Sequence, residues 1–372
     1  MKKLNIVIIS GVIFPRIAPR AFRATELAKA FAKKGHKVTL IASLGKYNYN
    51  NFEEETGIEV KNLGNSYFAL RDSDGKINVP IWKKGIVFLL NKLLHFPDIL
   101  LIPKVKEAIL NEGKVDLLIS IAIPYPIHWG VSFIDSKKRN FNTWVSDCGD
   151  PFMGNSVAKP YFYFKYLEKL WEKKTDFITV PVLEAKEAYY KEVEHKIHVI
   201  PQGFDFSEVK LAEYKKNEKP TFLYAGLFYP EKRDPTLFLE YLSKIDKDFK
   251  FIIYTSKIDL VKPYVEKLKD KLEIRESIDR ETLMIEMSKV DFLINITNKG
   301  TSFQVPSKLI DYTLSKRPTL EISSEFTNFE KENFDSFLKE NYNGQKSIEN
   351  FEQYDSKNVA EEFLKLYQLN NE

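Results

Sequence analysis

Short apolar runs rich in β-branched residues alternate with stretches of helical spacing, and they do so in two successive series. The first series opens with LNIVIIS at 4–10, a helical stretch at 24–34 that ends on Gly35, and KVTLIA at 37–42. Further strands are expected at 115–121, 143–146, 176–180 and 197–200, with an amphipathic helix at 161–174. A punctuated stretch, PQGFD at 201–205, and a charged run at 213–219 precede the second series. There the strands are expected at 221–225, 250–254, 272–274, 291–296 and 319–322, and the helices at 235–245, 262–270, 280–288 and 307–315. Strand runs this apolar are buried on both faces, and their alternation with helices predicts βαβ units and parallel sheets. The fold class is therefore α/β with two Rossmann-like domains, 1–201 and 202–355, and a last helix at 356–369 beyond the second series. A length of 372 residues suits two domains.

Composition narrows the partners. With 44% hydrophobic and 14% aromatic residues the chain can bury two cores. The net charge of +4 does not mark it as a nucleic-acid binder. Cys148 is the single cysteine, which excludes an internal disulfide and a zinc site of the Cys₄ or Cys₂His₂ type and fits a reducing compartment. The opening MKKLNIVIISGVIF reads as a buried first strand, because its apolar run is short and contains Asn5. No run reaches the roughly 20 apolar residues of a membrane helix. The expectation is a cytoplasmic protein. Residues 82–110 leave a peripheral contact open: they are rich in Leu, Ile and Phe, interleaved with Lys83, Lys84, Lys92, Lys104 and Lys106. They read either as an interfacial segment on an anionic bilayer or as a helical pair packed on the first domain. Pro97 and Pro103 interrupt them in both readings.

Several segments carry chemistry. GTSFQVPSKLIDYTLSKRP at 300–318 runs from a strand end into a helix. A helix start offers free N–H groups and the positive end of a dipole, which suits a phosphate. That places Ser302, Gln304, Val305, Pro306 and Ser307 as phosphate-side residues, and Asp311 as an acceptor of ribose hydroxyls. Lys308 is either a cation for the same phosphate or a surface lysine paired locally with Asp311. GLFYPEKRDP at 226–235 follows a strand. Gly226 permits close backbone approach, and Lys232 and Arg233 are placed to neutralise a leaving diphosphate, unless the segment is an ordinary exposed turn. The first strand–helix turn, 10–20, lacks the GxGxxG fingerprint and supplies Arg16, Arg20 and Arg23 instead. His128, in IPYPIH, and Asp147 and Asp150, in SDCGDP, also follow expected strands. The histidine contacts substrate or is structural; the carboxylates bind sugar hydroxyls or cap a turn. Their spacing suits no metal.

Taken in order, KKGHKVTLIAS, SDCGDP, HVIPQGFDFSE, YAGLFYPEKRDP and VPSKLIDYTLSKRPTLEI resemble motifs of GT-B glycosyltransferases, specifically family 4 and related bacterial polysaccharide enzymes. The resemblance implies two Rossmann-like domains facing across a cleft, with a nucleotide-sugar held mainly by the second and the acceptor approaching from the first. It implies that Arg233 and Lys308 bind the diphosphate, that Asp311 binds ribose, and that the base lies near Ser277 and Ile278. Asp150 joins Arg233 and Lys308 as a candidate catalytic residue. The implied activity is retaining transfer of a sugar to a glycan or lipid-linked acceptor, in polysaccharide or cell-surface glycan synthesis. The donor would carry uridine diphosphate, and neither a metal nor a further cofactor is implied. Three departures stand out. Phe303 replaces the first glutamate of the family's E-x7-E pattern, Leu227 replaces the arginine after Gly226, and the first loop bears arginines in place of a glycine pair. A sugar-nucleotide 2-epimerase of the same architecture, or a non-catalytic nucleotide-sugar-binding scaffold, are the alternatives.

Overall fold

The computed structural model describes residues 2–64, 81–155, 159–230, 232–297 and 307–372. Two compact units make up the chain: Met1–Asp205 with Glu352–Glu372, and Phe206–Phe351.

In the first unit β1 (Asn5–Ser10), α1 (Pro19–Lys33), β2 (Lys37–Ala42), α2 (Asn50–Thr56) and β3 (Glu59–Asn62) follow one another. Then come α3 (Ile81–Leu94), α4 (Leu101–Leu110), β4 (Val115–Ala122), α5 (Pro126–Ser132), β5 (Phe141–Cys148), α6 (Lys165–Lys174), β6 (Phe177–Val180) and β7 (Ile197–Val199). The second unit holds β8 (Thr221–Ala225), α7 (Thr236–Leu242), β9 (Lys250–Tyr254), α8 (Val265–Leu268), β10 (Leu272–Arg275), α9 (Arg280–Lys289), β11 (Phe292–Ile296), α10 (Ser307–Leu314), β12 (Thr319–Ile322) and α11 (Asn328–Phe337). The final helix, α12 (Ser356–Leu369), belongs to the first unit.

The first sheet has seven parallel strands in the order β3-β2-β1-β4-β5-β6-β7. Its interior strand β1 pairs Ile8 with Leu40 on one side and Ile119 on the other. Burial on both faces explains its unbroken apolar sequence. One face packs against α1 and α12, where Phe31 meets Phe363 edge-on at 6.5 Å. The other packs against α4, α5 and α6 through Trp129, Trp144 and Trp171, all fully buried. The second sheet is β10-β9-β8-β11-β12, again parallel. Phe222 anchors it, stacked on Phe251 at 4.7 Å and on Phe292 at 4.9 Å. Truncating a side chain so enclosed costs about 3–5 kcal/mol.

The expected strands of the second series coincide with β8, β9 and β12. Three differences have clear causes. α1 starts at Pro19, ahead of the expected start at 24, because proline is favoured where the first helical N–H is unsatisfied anyway. β3 (EVKN) is a polar edge strand with no alternation to reveal it. α11 starts at a capping box, Thr327 with Glu330, in a charged stretch whose apolar stripe is short, Phe334 and Phe337 alone of the helix entering the core.

Candidate active site

Both sheets reverse their strand order once, between β1 and β4 and between β8 and β11. Open α/β sheets bind ligands outside the carboxyl ends of the strands at such a reversal. In the second unit this edge gathers the loop after β8 and the start of α10.

Tyr312 pins α10 there. Its hydroxyl accepts from the backbone N–H of Ala225 at 3.0 Å, at the end of β8. Lys308, one turn earlier on α10, is carried over β8. Its Nζ lies 4.8 Å from the centre of the Tyr224 ring. The nitrogen is buried and has no hydrogen-bond partner among the described residues. Burial pushes its pKa down to about 7, and the charge of Arg233 pushes in the same direction. Burial also raises the Tyr224 hydroxyl to about 12, against the pull of Arg233. The Arg233 guanidinium donates to the Leu227 carbonyl at 3.4 Å, while Tyr229 and Arg233 close the loop as a two-residue bridge. Lys232 is exposed. Gly226, at φ +140°, occupies backbone space that side-chain-bearing residues avoid, and its N–H donates to the Tyr254 carbonyl. Two basic side chains thus share one corner of the sheet edge, with the Glu321 carboxylate near enough to oppose the shift of Lys308, an arrangement able to take an anion.

Asp311 does not pair with Lys308. It accepts from Arg280, at 2.9 Å from Nε and 2.6 Å from Nη2. Burial raises its pKa, and the guanidinium opposes that. Arg280 opens α9, whose seat is fixed by Arg275: its Nη1 donates to Tyr254 at 2.6 Å and to Glu286 at 2.9 Å. The loop between β10 and α9 carries Ser277 and Ile278, both exposed. Beside it opens a cavity of about 420 Å³ lined by Glu208, Val209, Lys210, Arg280, Glu281 and Met284. Ser302, Gln304, Val305 and Pro306 lie outside the described residues, as does the side chain of Ser307.

The first unit corrects several expectations. Arg20 and Arg23 stand on the first turns of α1, not in the loop. Arg23 is buried. It donates to both oxygens of Asp147, at 3.1 and 2.8 Å, and to the Pro201 carbonyl at 2.5 Å. Thr179 also donates to Asp147. Desolvation would raise that carboxyl, but Arg23 and then Arg20 hold it below its usual range. Asp147 is therefore an internal anchor between β5, β6 and α1. Arg20 approaches it at 3.8 Å and lies against Gly149, where any side chain would collide with the guanidinium. His128 is enclosed between Ser120, at 2.8 Å from Nδ1, and Cys148, at 3.4 Å from Nε2. Its side chain is fully buried with both ring nitrogens engaged, and burial lowers its pKa to about 3, so it reads as a neutral core residue. Arg16 and Asp150 are exposed at the carboxyl edge, and the Asp150 carbonyl accepts from the Tyr125 hydroxyl.

Tyr224, Tyr312 and Arg280 escaped the sequence reading. The Lys308–Tyr312 spacing of one helical turn was the available signal for the pinning tyrosine; nothing local marks Arg280. Among the described residues no three His, Cys, Asp or Glu side chains converge as metal ligands.

The fold has close counterparts among solved structures. A glycosyltransferase from Rickettsia africae ESF-5 superposes with a TM-score of 0.60 over 100% of both chains at 13% identity. The lipopolysaccharide outer core galactosyltransferase WaaB, in its apo form, gives 0.58 over 98% of this chain and 99% of its own at 11% identity. Anabaena Alr3699/HepE in complex with UDP and glucose gives 0.55 over 98% of both chains at 10% identity. No protein-family profile and no curated protein sequence matches the chain. The two parallel-sheet α/β units have the GT-B glycosyltransferase fold, and at these identities the likeness is one of fold.

Proposed function

We propose that the chain transfers a sugar from a nucleoside-diphosphate sugar to a glycan or lipid-linked acceptor, with retention of anomeric configuration. One observation carries the reading: the buried Lys308 amine, over the Tyr224 ring but with no hydrogen-bond partner among the described residues, beside the Arg233 cation. A buried charge without a hydrogen-bonding partner is costly, and the cost is recovered when an anion arrives. A diphosphate supplies that anion. As the bond between the anomeric carbon and the diphosphate oxygen breaks, negative charge grows on the departing oxygen. Lys308 and Arg233 stabilise that charge more than they stabilise the bound donor, which is what accelerates the step. The start of α10 adds its free N–H groups to the same phosphates.

The nucleoside would lie towards Ser277, Ile278 and the cavity beside α9. Asp311 would exchange its Arg280 partner for the ribose hydroxyls. Uridine is the proposed base, supported by the UDP-bound HepE structure. Arg16 and Asp150, exposed at the edge of the first sheet, are the proposed contacts for the acceptor. Neutralisation by side chains makes metal independence part of the proposal, so a chelator should leave turnover unchanged. The proposed setting is bacterial cell-surface glycan synthesis at the cytoplasmic side of the membrane.

Calorimetry with uridine, guanosine and adenosine diphosphates, followed by transfer assays with the matching sugar donors, tests this. Binding of one diphosphate with acceptor-dependent sugar transfer is expected. Release of an epimerised free sugar without acceptor would point to an epimerase, and no diphosphate binding at all would leave only a scaffold.

A further inference from the structure

Four aromatic side chains meet where the chain leaves β1 and β2 of the first sheet. Phe14 stacks on Phe52, with ring centres 5.7 Å apart and planes 19° from parallel. Tyr47 meets Phe14 edge-on at 5.5 Å and Tyr49 at 4.9 Å, and Tyr49 meets Phe52 at 6.3 Å. Tyr49 and Phe52 are buried and form the base of the group. Phe14 and Tyr47 rest on that base and leave 41% and 43% of their surface to solvent.

The backbone holds both exposed rings in place. The N–H of Phe14 donates to Thr25 Oγ1 at 3.0 Å, and its carbonyl accepts from the Tyr49 hydroxyl at 2.5 Å. Asn48, next to Tyr47, accepts from the N–H of Asn50 at 3.0 Å, which fixes the turn into α2. Rings ordered in advance lose little freedom when a ligand covers them.

Position and chemistry select that ligand. Phe14 and Tyr47 follow the carboxyl ends of parallel strands, the edge at which open α/β sheets take ligands. The loop of Phe14 continues through the exposed Arg16 to Arg20, which lies against Gly149, one residue from Asp150. The rings therefore belong to the edge proposed for the acceptor. An aromatic face carries negative charge density. The C–H groups on one face of a pyranose are weakly positive and cover such a ring, while the hydroxyls at its rim reach sideways for polar partners. Lys46 beside Tyr47, and Arg16 beyond Phe14, are exposed donors for those hydroxyls. Two half-exposed rings fall far short of the roughly 800 Å² that each side of a standard protein interface buries.

We propose that Phe14 and Tyr47 form a stacking shelf for a sugar ring, and that the acceptor is a saccharide recognised through that ring. Calling the saccharide the acceptor rests on the sugar-transfer reading; the binding of a sugar ring to the shelf does not.

Saturation-transfer NMR on the full chain with lactose, cellobiose and chitobiose tests this, with irradiation of the protein's aromatic protons. At least one disaccharide should bind, with the strongest transfer to the C–H protons of one ring face. Phe14→Leu/Tyr47→Leu keeps apolar bulk and removes both ring faces, and it should bind that sugar about tenfold more weakly. Should the double variant fail to fold by circular dichroism, Tyr47→Leu alone carries the test, because the Phe14–Phe52 stack stays intact, and it should show a smaller loss. Phe329→Leu, an exposed ring on α11 of the other unit, should bind like the native chain. The proposal is overturned if none of the disaccharides binds the native protein, or if the folded shelf variant binds as the native chain does. Calorimetry with uridine diphosphate on the same sample separates the two readings. Diphosphate binding without saccharide binding removes the shelf and leaves the donor site. Saccharide binding without diphosphate binding leaves the shelf and removes sugar transfer.

Discussion

The ammonium nitrogen of Lys308 lies 4.8 Å from the centre of the Tyr224 ring, shielded from water, with its pKa lowered to about 7 by burial and by Arg233. Its folded-state pKa is below the unfolded value, so between about 7 and the usual lysine range the unfolded chain binds the extra proton. Stability therefore rises with pH across that window. An anion beside the nitrogen reverses the shift. Binding of a nucleoside diphosphate at about pH 8 should take up a proton, read by calorimetry in buffers of different ionisation enthalpy. Lys308→Met should abolish the uptake. Equal heats in all buffers for the native protein would show that no anion reaches the lysine.

Arg233 is placed to act on the departing phosphate. Arg233→Ala should lower kcat by about 10²–10³-fold, the usual loss when one donor to developing charge is removed. The melting temperature should stay close to native, because the side chain is only partly buried. Near-native turnover would remove Arg233 from the site.

The Arg23–Asp147 pair is structural. Both side chains are almost fully buried, and Arg23 also holds the Pro201 and Ile200 carbonyls. Breaking a buried pair from one side costs about 3–5 kcal/mol. Arg23→Ala and Asp147→Asn should each show that loss in urea unfolding, with diphosphate affinity of the folded fraction unchanged. Full stability with lost turnover in Asp147→Asn would restore Asp147 to the substrate.

Glu168 and Glu172 bend the stability profile in a defined sense. Burial raises both carboxyls, and Glu172 is raised further by the charge of Glu168. From about pH 4.5 to about 8 the folded chain keeps protons that the unfolded chain has released, so stability falls as pH rises. Glu172→Gln should remove much of that slope and raise the melting temperature at about pH 8.5 relative to native. An unchanged slope would place Glu172 in contact with water.

The architecture was largely legible in the residues. The apolar runs that became β1, β8, β9 and β12 are long enough and flanked clearly enough to declare themselves. The polar edge strand β3 is held by pairing, and the charged helix α11 by its capping box and two core phenylalanines, Phe334 and Phe337, a stripe too short to stand out. Gly226, Arg233 and Lys308 lie together at the carboxyl edge of the second sheet, as loop position and residue type led one to expect, and their roles rest on the proposal. Asp147 and His128 misled for the same reason: they follow strands at the binding edge, but their side chains turn into the sheet core. The choice between inward and outward rests on Arg23, 124 residues away from Asp147 in sequence, and on Ser120 and Cys148 around His128. Arg280 reaches Asp311 across 31 residues, a pairing that no local pattern encodes.

The most direct test is a calorimetric titration of uridine diphosphate into the native protein and into a Lys308→Met/Arg233→Ala double variant. The account predicts saturable binding to the native chain and a loss of about a hundredfold or more in the variant, since each bond to a charged group contributes about 1.5–3 kcal/mol. Equal affinity for the two proteins would contradict it.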